Sequence, residues 1–163
     1  IAQEHGVIAP RVSMSVRLII GQTDQQAWEK AHGIVAQLKQ NTRSQINGRG
    51  QSGGAQRQLA IASEGGRHDR ALFMGTSTAI GGGTDSTSLV GTPEIIIESL
   101  LKYYDLGVTT FLSRGYEPLY DALDYGRWII GTLREEVAHR EHQQIKKSHQ
   151  NAIAEKEKAH ALA

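Results

Sequence analysis

Two periodicities alternate along this chain. From Val12 to Ile20 the pattern has period two, with Met14, Val16, Leu18 and Ile20 on one face and Ser13, Ser15, Arg17 and Ile19 on the other; this predicts a β-strand. At Thr23 the period changes. Thr23-Asp-Gln-Gln26 matches a capping box, and Ala27, Trp28, Ala31, Ile34, Val35 and Leu38 then recur at helical spacing to Gln40, so an amphipathic helix follows the strand, with Trp28 expected to pack in its buried stripe. The step repeats between Leu89 and Tyr116 with both helix ends marked. Thr92 predicts an N-cap and Pro93 suits the first helical position, while Ile97, Leu100, Leu101 and Tyr104 form an apolar stripe that Gly107 ends. Val108 to Leu112 predicts a short buried strand and Ser113 to Tyr116 a loop at its C-terminal end, where parallel α/β sheets bind ligands. Pro118 then opens a third helix, with Leu119, Ala122, Leu123, Gly126, Ile129 and Ile130 as its expected stripe.

Two stretches depart from this alternation. Asn41 to Ser88 is rich in Gly, Ser, Thr, Gln and Arg, with one short helix predicted around Ala55 to Ser63. A connection of that length is usually a lid or a disordered segment. Its arginines, Arg43, Arg49, Arg57, Arg67 and Arg70, face only Glu64, Asp69 and Asp85, a balance suited to closing over an anionic ligand. Gly81 to Gly83 lacks the Gly-Lys-Ser/Thr of a phosphate loop and reads as a hinge or turn. From Arg134 onward the chain is Glu-, Lys-, His- and Gln-rich, so residues 139–163 are expected to form a charged helical or disordered tail beyond a unit of residues 1–138. His139, His142 and His149 fit an exposed polar helix better than a metal face, because no carboxylate stands at ligand spacing.

Composition narrows the function. A net charge of +1 gives no electrostatic footprint for nucleic acid; Gly48-Arg-Gly50 leaves binding through a Gly/Arg loop as a remote alternative, with Phe73 the only stacking ring in that region. The absence of cysteine excludes disulfides, thiolate catalysis and Cys-based zinc sites, and fits a cytoplasmic location. No apolar run reaches the length needed to span a bilayer. Ile1 to Gly6 resembles the last turn of a helix, so an N-terminal part is expected upstream. Arg17 is the first candidate site residue. If helices cover the apolar face of its strand, the Ser/Arg face points into a barrel interior or cleft, where the guanidinium requires either an anionic ligand or a fixed carboxylate.

Ser15-Val-Arg-Leu18, Thr23 to Trp28 and Ala31, Gly65-Gly-Arg-His-Asp-Arg70, Leu89-Val-Gly-Thr-Pro93, Tyr103 to Gly107, Thr110-Phe111 and Gly115-Tyr116 occur in an order and spacing that resembles the bacterial luciferase-like flavin-dependent monooxygenases, most closely the alkanesulfonate monooxygenases. The resemblance spans about residues 10 to 130. It implies an α/β fold that is the C-terminal portion of a (β/α)8 TIM barrel, with residues 41–88 as a long active-site insertion. It further implies a two-component enzyme: an NAD(P)H-dependent reductase supplies reduced FMN, oxygen converts this to a flavin peroxide, and a small organic substrate, with organosulfur compounds in the class, is oxidised. Arg17 and Tyr116 match the family's catalytic arginine and tyrosine, with Arg67 and Arg70 on the lid, and a homo-oligomer without nucleic-acid or membrane partners is implied. Two departures bear on specificity. Ile19 and Ile80 stand where alkanesulfonate members carry histidine and arginine, so a non-catalytic flavin-binding or subunit-interaction role on the same scaffold is the alternative.

Overall fold

The computed structural model describes residues 6, 10–42, 52–82 and 87–161. In chain order the elements are β1 (Val12–Ile20), α1 (Asp24–Thr42), α2 (Gly53–Glu64), β2 (Leu72–Phe73), α3 (Gly75–Ile80), β3 (Ser88–Gly91), α4 (Pro93–Asp105), β4 (Val108–Arg114), α5 (Pro118–Tyr125), a π-helical turn (Gly126–Ile130) and α6 (Gly131–Ala161). The helical turn expected at the N-terminus, the Gly48-Arg-Gly50 stretch, Arg43, Arg49 and Asp85 lie outside the described residues, although Gly6 itself has a φ of 63°.

The strands form a mixed sheet in the order β2-β3-β1-β4. β1 runs parallel to both neighbours, and β2 pairs antiparallel with β3. A barrel segment would keep the strands in chain order, with β3 between β1 and β4; here β1 takes the centre, so the expected barrel order is not the order of this sheet. The pairing gives a physical reason. The nine-residue β1 uses both edges, matching Arg17 to Ile20 with Ser88 to Gly91 and Ser13 to Arg17 with Thr110 to Arg114, whereas the four-residue β3 is too short to serve as a centre of that extent. The far edge of β3 is taken by β2, with Leu72 opposite Leu89 and Phe73 opposite Ser88.

The two crossovers run in opposite directions along the sheet, β1 to β3 one way and β3 to β4 back across β1. Right-handed crossovers in opposite directions must lie on opposite faces. Two cores result. On one face Val16, Leu18 and Leu89 pack against Ile95, Ile96, Leu100, Tyr125 and Ile129. On the other, Ile19 and Val90 pack against Ala27 and Ala31 of α1 and against Phe73. Small residues at 27 and 31 let α1 approach the sheet closely, and Trp28, Ile34 and Val35 close the edges of that core. β1 is therefore apolar on both faces only where helices cover both. Toward its start, Ser13 and Ser15 are exposed.

Three local expectations change. β4 is not a buried strand: it is an edge strand in which only Val108 is buried, Leu112 is 57% exposed, and the extended backbone continues through Ser113 and Arg114. The helix after Pro118 buries Asp121, Tyr125 and Ile129, followed by the part-buried Leu133 and Val137, and leaves Leu119, Leu123 and Ile130 exposed. The π turn at Gly126–Ile130 widens the helix, so positions four apart stay on one face where a 3.6-residue turn would rotate them away. The long segment after α1 carries β2 and α3 besides the expected helix, and buries Phe73 and Met74. Gly81 ends α3 in the left-handed conformation, as a turn. The charged C-terminal stretch belongs to one helix, α6, whose residues Glu141 to Ala154 are exposed.

Candidate active site

Arg17 lies in the second half of β1, level with Ser88 at the start of β3 and Arg114 at the end of β4. Being part-buried, its guanidinium needs partners that offset lost hydration. Its Nη1 donates to the Gly115 carbonyl at 2.7 Å, and its Cζ lies 4.7 Å from the centroid of the Tyr116 ring, a cation–π contact. The Tyr116 hydroxyl is 3.3 Å from Ser88 Oγ, which is 3.2 Å from Thr76 Oγ1. Ser88 and Thr76 are fully buried. A polar path thus runs from the centre of the sheet through the phenol to the first turn of α3.

The Gly115-Tyr116-Glu117 loop is held from the α5 side. Asp121 Oδ2 accepts the backbone N–H of Tyr116 at 2.7 Å and of Glu117 at 2.9 Å, and Lys30 Nζ donates to its Oδ1 at 3.1 Å. Nearby, the Tyr125 hydroxyl donates to the Leu18 carbonyl at 2.7 Å, and burial, with Asp121 as the second cause, pushes its phenol well above the ordinary tyrosine range.

The two lid arginines are not gathered with Arg17 and Tyr116, and they divide between the faces of the sheet. Arg67 stacks on Trp28 with its Cζ 4.4 Å from the ring, while its Nε and Nη2 donate to the Asp69 and Arg70 carbonyls at 3.0 and 2.9 Å. Arg70 Nη1 instead donates to Glu98 Oε2 of α4 at 3.2 Å, an exposed ion pair. Arg67 is therefore a clasp between the segment and α1. Trp28 packs edge-on to Phe73 at 5.5 Å, as the helical spacing predicts, but its Nε1 is buried without a hydrogen-bond partner among the described residues. Phe73 is itself buried at 4% exposure, which removes the stacking ring that the nucleic-acid alternative required.

Among the described residues, clefts open on either side of the sheet. The larger, about 820 Å³, lies between β4, the π turn and α6, with Phe111, Tyr125, Ile129 and Leu133 among its walls, and neither Arg17 nor Tyr116 lines it. The smaller, about 390 Å³, opens between α1 and the Tyr116 loop, lined by Lys30, Ile34, Leu38, Asn41, Tyr116 and Glu117. A cleft of this size lies at the lower end of small-ligand pockets.

Sequence reasoning missed Ser88, Thr76 and Asp121. Ser88 and Thr76 sit in a stretch whose composition reads as loop, so nothing local marks them as buried. Asp121 carried a signal: an acid in the first turn of a helix that follows Gly-Tyr and Pro118. Ile19, where a polar residue was expected, lies beneath α1 with no exposure, and Ile80 ends α3 part-buried.

In donor chemistry, a part-buried guanidinium stacked on a phenol ring fits the carbonyl and anionic oxygens of a flavin or an anionic substrate. The sequence model of the luciferase-like monooxygenases matches residues 1–110, a span that includes Arg17, Ser88 and Thr76 and stops short of Tyr116. That match covers more than half of the 163 residues, and with it the chain belongs to the luciferase-like monooxygenase family.

Proposed function

We propose that this chain forms one wall of the active site of a two-component monooxygenase that uses reduced FMN and oxygen to oxidise a small anionic organic compound, an alkanesulfonate or related organosulfur acid being the class in view. The observation that carries this reading is the Arg17–Tyr116 contact: a cation and a phenol fixed on one another by the Gly115 carbonyl and the ring face. Bound reduced flavin would supply the electrons that activate oxygen. Arg17 would hold an anionic oxygen of substrate or flavin through charge-assisted hydrogen bonds, and Tyr116 would donate its hydroxyl proton to a neighbouring acceptor, with Ser88 restraining the phenol's rotation.

The same reading takes the reduced FMN from a separate NAD(P)H-dependent reductase and places the protein in the cytoplasm, as a homo-oligomer. Among the described residues no helix is long and apolar enough to cross a membrane. In the family's closed barrel, β4 would leave β1 for the edge of β3 that β2 now occupies, and the Ser/Arg face of β1 would turn toward the barrel interior.

A second reading, a non-catalytic scaffold, draws on Ile19, whose complete burial beneath α1 leaves no polar group at that position. Oxygen uptake decides between them. With chemically reduced FMN and a panel of alkanesulfonates, the monooxygenase produces a stoichiometric oxidised product; the scaffold binds flavin and yields only the hydrogen peroxide of free flavin oxidation.

A further inference from the structure

We infer that Asp121 is a positioning residue for Tyr116, holding the phenol at Arg17 through the backbone of the loop, with Lys30 as the counter-charge that keeps the carboxylate in place. The inference rests on the proposed role of Tyr116, and its own basis is geometric. Asp121 lies in the first turn of α5, where an acid ordinarily caps the helix's own free N–H groups. Here it does so for one of them, the N–H of the N-cap residue Glu117, and reaches one residue further back as well. Its Oδ2 reaches back to the N–H groups of Tyr116 and Glu117, at 2.7 and 2.9 Å, both ahead of the first helical residue Pro118. The carboxylate therefore ties the Tyr116 loop to the start of the helix.

Burial supports the assignment. Asp121 is 3% exposed, and a carboxylate so placed is retained only where hydrogen bonds and a cation compensate for lost water. The two N–H donors saturate one oxygen, and Lys30, reaching from α1, supplies the cation to the other at 3.1 Å. Gly115 is part of the same device. A Cβ at that position would lie 2.2 Å from Asp121 Oδ2 and 2.3 Å from its Cβ, so only glycine lets the carboxylate approach the Tyr116 amide. The Gly115 carbonyl meanwhile accepts from Arg17. The loop is gripped from both sides: Asp121 holds its N–H groups, Arg17 holds its carbonyl, and Tyr116 projects between them onto Ser88.

The test compares Asp121→Asn, Asp121→Ala and Tyr116→Phe with the unaltered protein, reading amide hydrogen exchange at Tyr116 and Glu117 together with kcat and KM for reduced-flavin-dependent turnover. Exchange at these two amides should accelerate about tenfold in Asp121→Asn and more in Asp121→Ala, with buried amides of α4 unchanged. kcat should fall in the same order with KM little altered, as expected when a group is displaced from the reacting atoms rather than from ground-state binding. If Asp121→Ala does not fold, Asp121→Asn alone decides. Unchanged exchange at both amides, or faster exchange with full turnover while Tyr116→Phe is impaired, overturns the inference. A Tyr116→Phe protein with full turnover, alongside accelerated exchange in Asp121→Asn, instead removes Tyr116 from the site and leaves the clamp as a purely structural one.

Discussion

The Tyr116 hydroxyl meets Ser88 Oγ at 3.3 Å across 28 residues of sequence, joining the loop after β4 to the first residue of β3. Ser88 also contacts Thr76 Oγ1, so one fully buried hydroxyl orders both the phenol and the first turn of α3. Ser88→Ala removes both contacts without changing the backbone. Stability should fall by about 1–2 kcal/mol, measured by urea unfolding, and turnover should drop with it. An unchanged unfolding midpoint would show that water replaces the hydroxyl at no cost.

Tyr125 makes a pH-dependent contribution whose sign follows from its environment. Burial raises its phenol above the ordinary value of 10.0, so the folded protein keeps a proton that the unfolded chain releases. The stabilisation is complete below about pH 10 and is lost as pH rises from there through the folded value. Tyr125→Phe has no such proton, so its stability should decline less steeply above pH 10. At neutral pH the mutant should be about 1 kcal/mol weaker for want of the bond to the Leu18 carbonyl. Denaturant titrations of both proteins at pH 8 and pH 10.5 check the two halves of this statement.

Two glycines should respond in opposite directions to the same substitution. A Cβ on Gly75 would lie 2.3 Å from Phe73 Cζ, and Phe73 is wedged among Trp28 and His32 in the second core. Gly75→Ala should cost about 1–3 kcal/mol. A Cβ on Gly33, inside α1, meets nothing within 4 Å, so Gly33→Ala should stabilise by about 0.5–1 kcal/mol through helix propensity. Thermal unfolding of the pair reads both; destabilisation by Gly33→Ala would mean that the face of α1 beside the Tyr116 loop is occupied.

The elements were legible where local chemistry decides them. The alternation of Val12–Ile20, the capping box at Thr23, and Pro93 with Gly107 each specify a boundary within the chain's own neighbourhood, and β1, α1 and α4 form there. Strand order was not legible, because it depends on which edges compete: β1 pairs along both sides, and β2, a two-residue strand inside a stretch of loop-like composition, takes the free edge of β3. The exposure of Leu119 and Leu123 was hidden by the π turn, which shifts the register between them and Ile129 and which no residue pattern announced. Of the candidate site residues, Arg17 and Tyr116 stand in contact, since strand alternation and the loop after β4 both constrain position. Arg67 and Arg70 were chosen from the basic composition of their segment and from the Gly65 to Arg70 motif, and neither says which face of a sheet a side chain reaches.

The measurement closest to the central claim is made on Arg17→Ala. Thermal unfolding and reduced-FMN-dependent turnover are recorded on the same preparations of the altered and unaltered proteins. Loss of a charge-assisted contact to a bound anion costs about 2–4 kcal/mol in the transition state, so turnover of the folded mutant should fall by about thirtyfold to a thousandfold. Stability should fall less than that, by about 1–3 kcal/mol, as the bond to the Gly115 carbonyl and the contact with the Tyr116 ring are lost. A folded Arg17→Ala protein with unaltered turnover and a lowered unfolding midpoint would contradict the account and leave Arg17 as a structural cation of the sheet.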